Sequence, residues 1–305
     1  MERKWWTLLA VCVSVFMLLL DITIVNVALP AIQRSLHSSF SDLQWVVDAY
    51  ALTLAALLLT AGSLGDRLGR RITFVVGLAL FTGASLACGL AGTPLVLNLA
   101  RAAQGIGGSV MFATSLALIA QEFHGRERGT AFGIWGATIG AAVAIGPLVG
   151  GALTDGLGWN WIFFINVPIG IGAVVLTLMR VSESRDPDAR RIDWAGVFTF
   201  SGSLFLLVFA LIRGNAEGWG SSLIVGFLAG AALLMALFVV VELRGSEPML
   251  DLTLFRKPTF VGASIAAFTL SASMFAMFLY LTLYMQNTLG FKPFQAGLRF
   301  LPITL

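Results

Sequence analysis

Charged residues are scarce in this chain of 305 residues, at 11% of the sequence, whereas an ordinary soluble domain contains roughly 25%. That shortage excludes a water-soluble globular protein of normal surface composition. Cysteine and histidine are scarcer still, with two residues of each. Cys12 and Cys88 fall within long apolar runs, where a thiol behaves as a small apolar side chain. Neither a disulfide framework nor a metal site is predicted.

The sequence also lacks the usual features of an enzyme. It contains no Gly-rich loop of the G-K-S/T kind, no cluster of His or Cys ligands and no polar segment long enough for a water-facing catalytic domain. The formal net charge is only +3, and the positive charges are dispersed over short links between apolar runs. We therefore predict a protein that is not an enzyme, needs no cofactor and binds no nucleic acid.

Apolar sequence is what the chain has in abundance, since 58% of its residues are hydrophobic. Its runs are close to the ~20 residues that cross a ~30 Å hydrocarbon core as a helix, and they are continuously apolar rather than alternating. We predict an all-α integral membrane protein with nine spans, near Trp6–Leu29, Leu43–Leu64, Ile72–Ala91, Leu95–Ala120, Thr130–Leu153, Trp161–Met179, Trp194–Ile212, Ser222–Val241 and Thr259–Met285. A further apolar run from Ala296 stops at Leu305 after about half a span, which predicts a chain truncated within a tenth helix.

The distribution of charge predicts orientation and domains. Short loops rich in Lys and Arg stay in the cytoplasm, and with a cytoplasmic N-terminus most of the 19 Lys and Arg residues fall on that side. Two longer charged links divide the chain. The predicted domains are a six-helix bundle over residues 1–180, a cytoplasmic linker over 181–193, two extra spans with their cytoplasmic link over 194–257, and the start of a second bundle over 258–305.

The link between the second and third runs is the most informative motif. It reads G-S-L-G-D-R-L-G-R-R from Gly62 to Arg71, and it resembles the signature loop between helices two and three of the major facilitator superfamily. In that family the acid and the arginines join helix ends and help to hold one conformation of the transporter. The resemblance implies a conformational role for Gly62, Asp66, Arg67, Gly69, Arg70 and Arg71. The alternative is a charged turn that only sets topology.

Two further motifs lie in the fourth and fifth runs. The stretch Arg101-Ala102-Ala103-Gln104-Gly105 is similar to the family's R-x-x-Q-G motif. Because an arginine inside a span costs roughly 2.5–3.5 kcal/mol, it should face a partner or a wet cavity, unless it snorkels to the nearby outer end. The fifth run resembles the family's antiport motif, which ends G-P-x-x-G-G, through Gly133, Gly146, Pro147, Gly150 and Gly151. A merely tight helix pair is the alternative.

Two other stretches narrow the resemblance. The sequences L-D-I-T-I-V-N-V-A-L-P (Leu20–Pro30) and W-N-W-I-F-F-I-N-V-P-I-G (Trp159–Gly170) look like signatures of the fourteen-helix drug:proton antiporters. In that subfamily two extra helices separate the six-helix halves, which matches the seventh and eighth runs.

Asp21, Asp48 and Arg101 are the predicted proton-coupling residues. At 1.5 Å per residue, all three fall in the outer half of the bilayer. Burial favours the neutral form of a carboxyl group and a neighbouring arginine favours the charged form, so helix motion would switch proton affinity. Two alternatives stay open: Asp21 as a permanently paired structural acid, and Asp48 as a capping or interfacial residue.

Other polar or adaptable side chains within the spans are candidates for a substrate cavity. They are Asn26, Tyr50, Gln104, Asn166, Met274 and Phe278. Hydrogen bonding between helices explains the polar members equally well, and lipid contact or core packing explains the others.

The resemblance as a whole implies a secondary active transporter that exports amphipathic drugs or antibiotics in exchange for protons, by alternating access. The alternatives are a proton symporter or uniporter of the same fold, or a truncated chain without transport activity of its own. The expected partners are a small amphipathic substrate, the lipid bilayer and protons as coupling ion, and the complete protein is expected to be a monomer. The expected location is the plasma membrane, as a multi-pass protein of a bacterial inner membrane.

Overall fold

The chain folds as a series of long helices. The computed structural model describes residues 2–185, 193–245 and 250–291, together with residues 295 and 299. The helices are α1 (Arg3–Leu36), α2 (Phe40–Leu68), α3 (Arg70–Gly89), α4 (Pro94–Glu122), α5 (Gly125–Gly156), α6 (Trp161–Phe164), α7 (Asn166–Arg180), α8 (Trp194–Glu217), α9 (Ser222–Arg244) and α10 (Pro258–Leu283). A 3-10 helix over Leu252–Arg256 precedes α10, and a π-helical turn over Tyr284–Thr288 follows it. No strand occurs in these ranges.

Eight stretches of the described chain are long and apolar enough to cross a membrane. They are α1 to α5, the combined stretch Trp161–Arg180, α8 and α9. The ninth predicted span corresponds to α10, whereas most of the predicted tenth run lies outside the described residues. The predicted all-α class is confirmed, while the number of spans and their orientation stay predictions.

Two helices run on past a proline, and one predicted span is divided. Pro30 lies inside α1, and Pro147 lies inside α5. A proline removes one backbone hydrogen bond, but the helix remains the structure that satisfies most backbone groups in lipid. The sixth predicted span is split at Ile165, so that Asn166 becomes the first residue of α7.

Side-chain caps fix where α2 and α4 begin. Ser39 and Asp42 form a capping box, in which the Asp42 amide donates to Ser39 Oγ (3.2 Å) and the Ser39 amide donates to Asp42 Oδ2 (2.9 Å). Thr93 caps α4, and Pro94 occupies the first turn of that helix. These caps set the starting points of the two helices that flank the polar site described below.

The first six spans pack around a shared core. The main helix contacts pair α1 with α5, and α4 with both α2 and α3, while α7 packs on α3 and α1. One cluster of buried apolar side chains runs from Leu8 to Val181 through these helices. The predicted six-helix bundle therefore encloses a continuous core.

Helices α2 and α4 approach each other closely at Gly105. A Cβ atom at this position would lie 3.1 Å from the backbone carbonyl carbon of Tyr50. Beside this contact, the Thr53 hydroxyl donates a hydrogen bond to the backbone oxygen of Ala102 (2.9 Å). Small residues permit such approaches between membrane helices. The glycine of the R-x-x-Q-G motif thus has a packing role.

The extra helices α8 and α9 pack on each other, and α8 packs on α2. The Thr60 and Ser201 hydroxyls lie 3.1 Å apart across the α2–α8 contact, and the rings of Trp45 and Phe209 lie 5.6 Å apart. Helix α2 therefore connects the extra pair to the six-helix bundle.

Candidate functional site

A cluster of polar side chains is buried where α1, α4 and α7 meet. Asp21, Arg101, Gln104 and Asn166 are each at most 1% exposed. Charged groups buried in an apolar environment are costly unless they are paired and hydrogen-bonded. The cluster is therefore the first candidate for a functional site.

Asp21 and Arg101 form a direct ion pair, with Arg101 Nη1 2.5 Å from Asp21 Oδ2. The guanidinium also donates from Nε to the Val46 carbonyl (2.9 Å) and from Nη1 to Gln104 Oε1 (2.8 Å). It lies 4.2 Å from the centre of the Tyr50 ring, within the range of a cation–π contact. Arg101 therefore points to partners inside the bundle and does not snorkel to the membrane surface.

The second oxygen of the Asp21 carboxylate accepts two amide hydrogen bonds. Gln104 Nε2 lies 2.9 Å and Asn166 Nδ2 lies 3.1 Å from Oδ1. Asn166 also donates to Ser85 Oγ (3.0 Å), and Ser85 donates to the Phe163 carbonyl (2.9 Å). Residues from α1, α4, α7 and α3 thus form one hydrogen-bonded network centred on a single carboxylate.

Two polar atoms of this region have no hydrogen-bond partner among the described residues. They are the Tyr50 hydroxyl and Asn166 Oδ1, and both are buried. An unsatisfied buried polar group costs about 1–3 kcal/mol. Such groups need an explanation, and a functional role is one of the few available.

The remaining predicted site residues lie elsewhere. Asp48 is half-buried on α2. Asn26 is exposed, and its amide donates to the Ile22 carbonyl of its own helix (3.2 Å). The side chains of Met274 and Phe278 lie outside the described part of the chain. Of the three predicted proton-coupling residues, the structure joins Asp21 and Arg101 by an ion pair, whereas Asp48 forms no ion pair within the described residues.

Two glycines of the predicted antiport motif contact α1 one turn from Asp21. A Cβ at Gly146 would lie 2.7 Å from Thr23 Cβ, and one at Gly150 would lie 3.2 Å from Ile24 Cα. Gly133 is exposed and Gly151 is buried, but a Cβ at either would meet nothing within 4 Å. Gly146, Pro147 and Gly150 thus bring α5 onto the segment of α1 that carries the buried acid.

The charged loop between α2 and α3 contains an internal ion pair. Arg70 donates to Asp66 Oδ1 from Nε (2.9 Å) and Nη2 (2.7 Å), and Nη1 reaches Gln121 Oε1 on α4 (3.3 Å). Gly69, between the two helices, has φ 112°, a conformation that favours glycine. Arg67 is exposed, and a Cβ at Gly62 would meet nothing within 4 Å.

Glu183 completes this loop and was not predicted from the sequence. Its carboxylate accepts from the backbone amides of Arg71 (3.1 Å) and Ile72 (3.2 Å), in the first turn of α3. The Arg70 amide donates to the Ser184 carbonyl (2.8 Å). A carboxylate at a helix N-terminus is favourable because it meets free amides and the positive end of the helix dipole. The segment that follows α7 is thereby attached to the start of α3.

We expect Glu183→Ala to lower the free energy of unfolding by about 0.5–2 kcal/mol, because it removes an N-terminal cap. Thermal unfolding of the purified protein in detergent would measure the effect. Glu122→Ala is the matched control, since Glu122 ends α4 near the same loop and has no hydrogen bond within the described residues. Equal unfolding temperatures for the two variants would contradict the capping role.

No group of three or more His, Cys, Asp or Glu side chains in the described ranges is arranged to hold a metal ion. The polar cluster instead consists of one acid, one arginine and two amides. Together with the long apolar helices, it defines a helical membrane protein with a buried ion pair at its centre.

The chain belongs to the Major Facilitator Superfamily, whose family model matches residues 11–305. It is therefore a multi-pass membrane protein of a transporter family and not an enzyme, and the predicted location in the plasma membrane is confirmed. The family suggested by the loop, the R-x-x-Q-G motif and the glycine-rich helix is confirmed as well.

Several bacterial relatives are similar over almost the whole chain. The chain is 41% identical to the tetracenomycin C resistance and export protein of Streptomyces glaucescens, over 99% of this chain and 56% of the relative. It is 42% identical to the multidrug resistance protein Stp of Mycobacterium tuberculosis, over 98% and 56%. It is 36% identical to the puromycin resistance protein pur8 of Streptomyces alboniger, over 99% and 60%. The chain thus spans little more than half the length of these relatives.

Solved structures support the fold. A crystal structure of a peptide transporter, POT (E310Q mutant), in complex with sulfate aligns with a TM-score of 0.58 over 81% of this chain and 57% of that one. The sequence identity is 14%, so this similarity concerns the fold alone.

Proposed function

We propose that this chain is part of an exporter that moves amphipathic drugs or antibiotics out of the cell in exchange for protons. The observation that carries the proposal is the buried Asp21–Arg101 ion pair, which joins α1 to α4 inside the core. The names of the relatives, which concern resistance and export, support the choice of substrate class and direction.

Proton coupling follows from the cost of an unpaired charge. While Asp21 contacts Arg101, Gln104 and Asn166, its carboxylate is stabilised as an anion by one cation and two amides. If α1 moves away from α4, the carboxylate loses its cation in an apolar environment. An isolated charge there is so unfavourable that the acid binds a proton instead.

In our proposal, the glycine contacts and the charged loop control the change of conformation that such a cycle needs. Gly146 and Gly150 let α5 pack directly on α1, so a change in the α5 packing acts on the segment that holds Asp21. At the other end of the bundle, Asp66, Arg70 and Glu183 tie α2, α3 and the segment after α7 together. In our proposal this tie stabilises one of the two conformations, and two bundles rock about a central site.

The direct test uses everted membrane vesicles from cells that express the full gene product, with respiration making the vesicle interior acidic. We expect ethidium or puromycin to accumulate in the vesicles and to release protons from them, both reported by fluorescence. A symporter would accumulate no drug in this orientation. Accumulation that persists after a protonophore collapses the gradient would indicate a uniporter, and either result would contradict the proposal.

A further inference from the structure

A cavity lies between α2, α4 and α8, outside the polar cluster. Its volume is about 450 Å³, and its walls include Trp45 and Leu52 of α2, Asn98 and Leu99 of α4, and Phe205 of α8. Small-molecule sites typically have volumes of about 300–1,000 Å³, so a compact aromatic ligand would fit. We call this cavity the α8 groove.

The α8 groove is separate from the Asp21 network. Val46 and Tyr50 of α2 contact Arg101, whereas Trp45 and Ala49, on a neighbouring face of the same helix, line the groove. On the α4 side the groove-lining residue Leu99 is 63% exposed, so the groove opens on the outside of the bundle. A ligand would enter it from the surrounding lipid without passing through the central site.

The charged group that lines the groove is the Asp42 carboxylate. Both hydrogen bonds from Ser39 to Asp42 use Oδ2 (2.9 and 2.7 Å), and Oδ1 has no bond among the described residues. None of the groove residues carries a positive charge. A carboxylate in an apolar groove favours a cation, and N–H groups of that cation can donate to its Oδ1.

The walls of the groove favour an aromatic cation. The aromatic residues Trp45 of α2 and Phe205 of α8 line it, together with the aliphatic Leu95, Leu99 and Ala102 of α4. Aromatic faces attract cations and stack on flat rings. We propose that the α8 groove binds an aromatic organic cation with N–H groups, which places a peripheral substrate site on the extra helix α8. The inference extends the proposed function, since such cations would be export substrates.

Equilibrium binding of ethidium tests the site without transport. Ethidium is a flat aromatic cation with two amino groups, and its fluorescence would be titrated against the purified chain in lipid nanodiscs. We expect Ala102→Phe, which fills the groove, to remove one saturable component of ethidium binding and to leave binding at the central site. We expect Asp42→Asn, which keeps the oxygen that accepts from Ser39, to weaken binding about threefold, as for a partly exposed charge contact. Asp155→Asn, an exposed acid at the end of α5, is the control and should bind as the parent does.

Three outcomes would overturn the proposal. They are unchanged ethidium binding in Ala102→Phe, equal weakening in Asp42→Asn and Asp155→Asn, and equally tight binding of the neutral ring system 6-phenylphenanthridine. Equally tight binding of the neutral compound, together with displacement of ethidium by added phospholipid, would identify the groove as a lipid site. Thermal unfolding checks that each variant is folded. Leu99→Trp, at an exposed position, is a second variant that fills the same groove. Because no proton gradient is applied, failure here leaves the vesicle test of the proposed function unaffected.

Discussion

Replacing Asp21 by Asn in the full gene product is expected to abolish proton-driven efflux while the protein still reaches the membrane. Asparagine keeps the shape and can still accept from Gln104 and Asn166, but it cannot bind and release a proton. It also leaves Arg101 as an unpaired buried cation, which costs about 3–5 kcal/mol of stability. Drug accumulation and proton release in everted vesicles would measure the loss, with membrane insertion quantified in the same preparation.

A double variant separates the loss of coupling from the loss of stability. In Asp21→Asn with Arg101→Gln no unpaired charge is left, so the free energy of unfolding should recover most of what the single variant lost. Coupling should stay absent because no titratable acid has been restored. Asp155→Asn serves as the control acid. Normal drug:proton exchange in the double variant would show that Asp21 is only a structural acid.

Gly105→Ala is expected to reduce both the stability of the packed helices and transport, although it adds a single methyl group. The added Cβ would lie 3.1 Å from the carbonyl carbon of Tyr50, a backbone atom that can move only if α2 moves away from α4. Overpacking of this kind costs about 1–3 kcal/mol. The Val46 carbonyl and the Tyr50 ring, both on α2, contact the Arg101 guanidinium. A shift of α2 would therefore weaken the Asp21–Arg101 ion pair and reduce efflux.

Gly83→Ala provides the matched control for this prediction. Gly83 is exposed on α3, and a Cβ there would meet nothing within 4 Å. Alanine is the better helix former by up to about 1 kcal/mol, so this variant should be at least as stable as the parent. If Gly105→Ala and Gly83→Ala unfold at the same temperature in detergent, the close approach of α2 and α4 does not limit stability.

The membrane-spanning helices and the central pairing were predictable from the sequence because each depends on a large energetic penalty. Continuous apolar runs of helix length have few alternatives in a bilayer, and the described helices follow them. A charge within a span requires a partner, and Arg101 and Asp21 lie at similar predicted depths. Their contact in the structure agrees with that reasoning.

Residues whose contribution depends on helix rotation or on distant contacts were harder to predict. Asn166 was predicted either to line a cavity or to hydrogen-bond between helices, and the sequence did not identify Asp21 as the partner of its amide. Asp48 has a suitable depth but forms no ion pair with the described residues, which sequence spacing does not reveal. Glu183 looked like one charge of a linker, because its partners on α3 are more than 100 residues away in the chain. The proton-coupling role of the site stays a prediction.

The two partners of the central ion pair belong to different helix pairs. Arg101 is attached to the α2–α4 pair through the Val46 carbonyl, Gln104 and the Tyr50 ring, whereas Asp21 lies on α1, which packs on α5. The length of this contact therefore depends on how the two helix pairs are aligned along the membrane normal. A slip of one helical turn, about 5.4 Å at right angles to the contact, would separate the two atoms by about 6 Å, beyond hydrogen-bonding distance. The acid would then lose its cation while each helix pair stays packed.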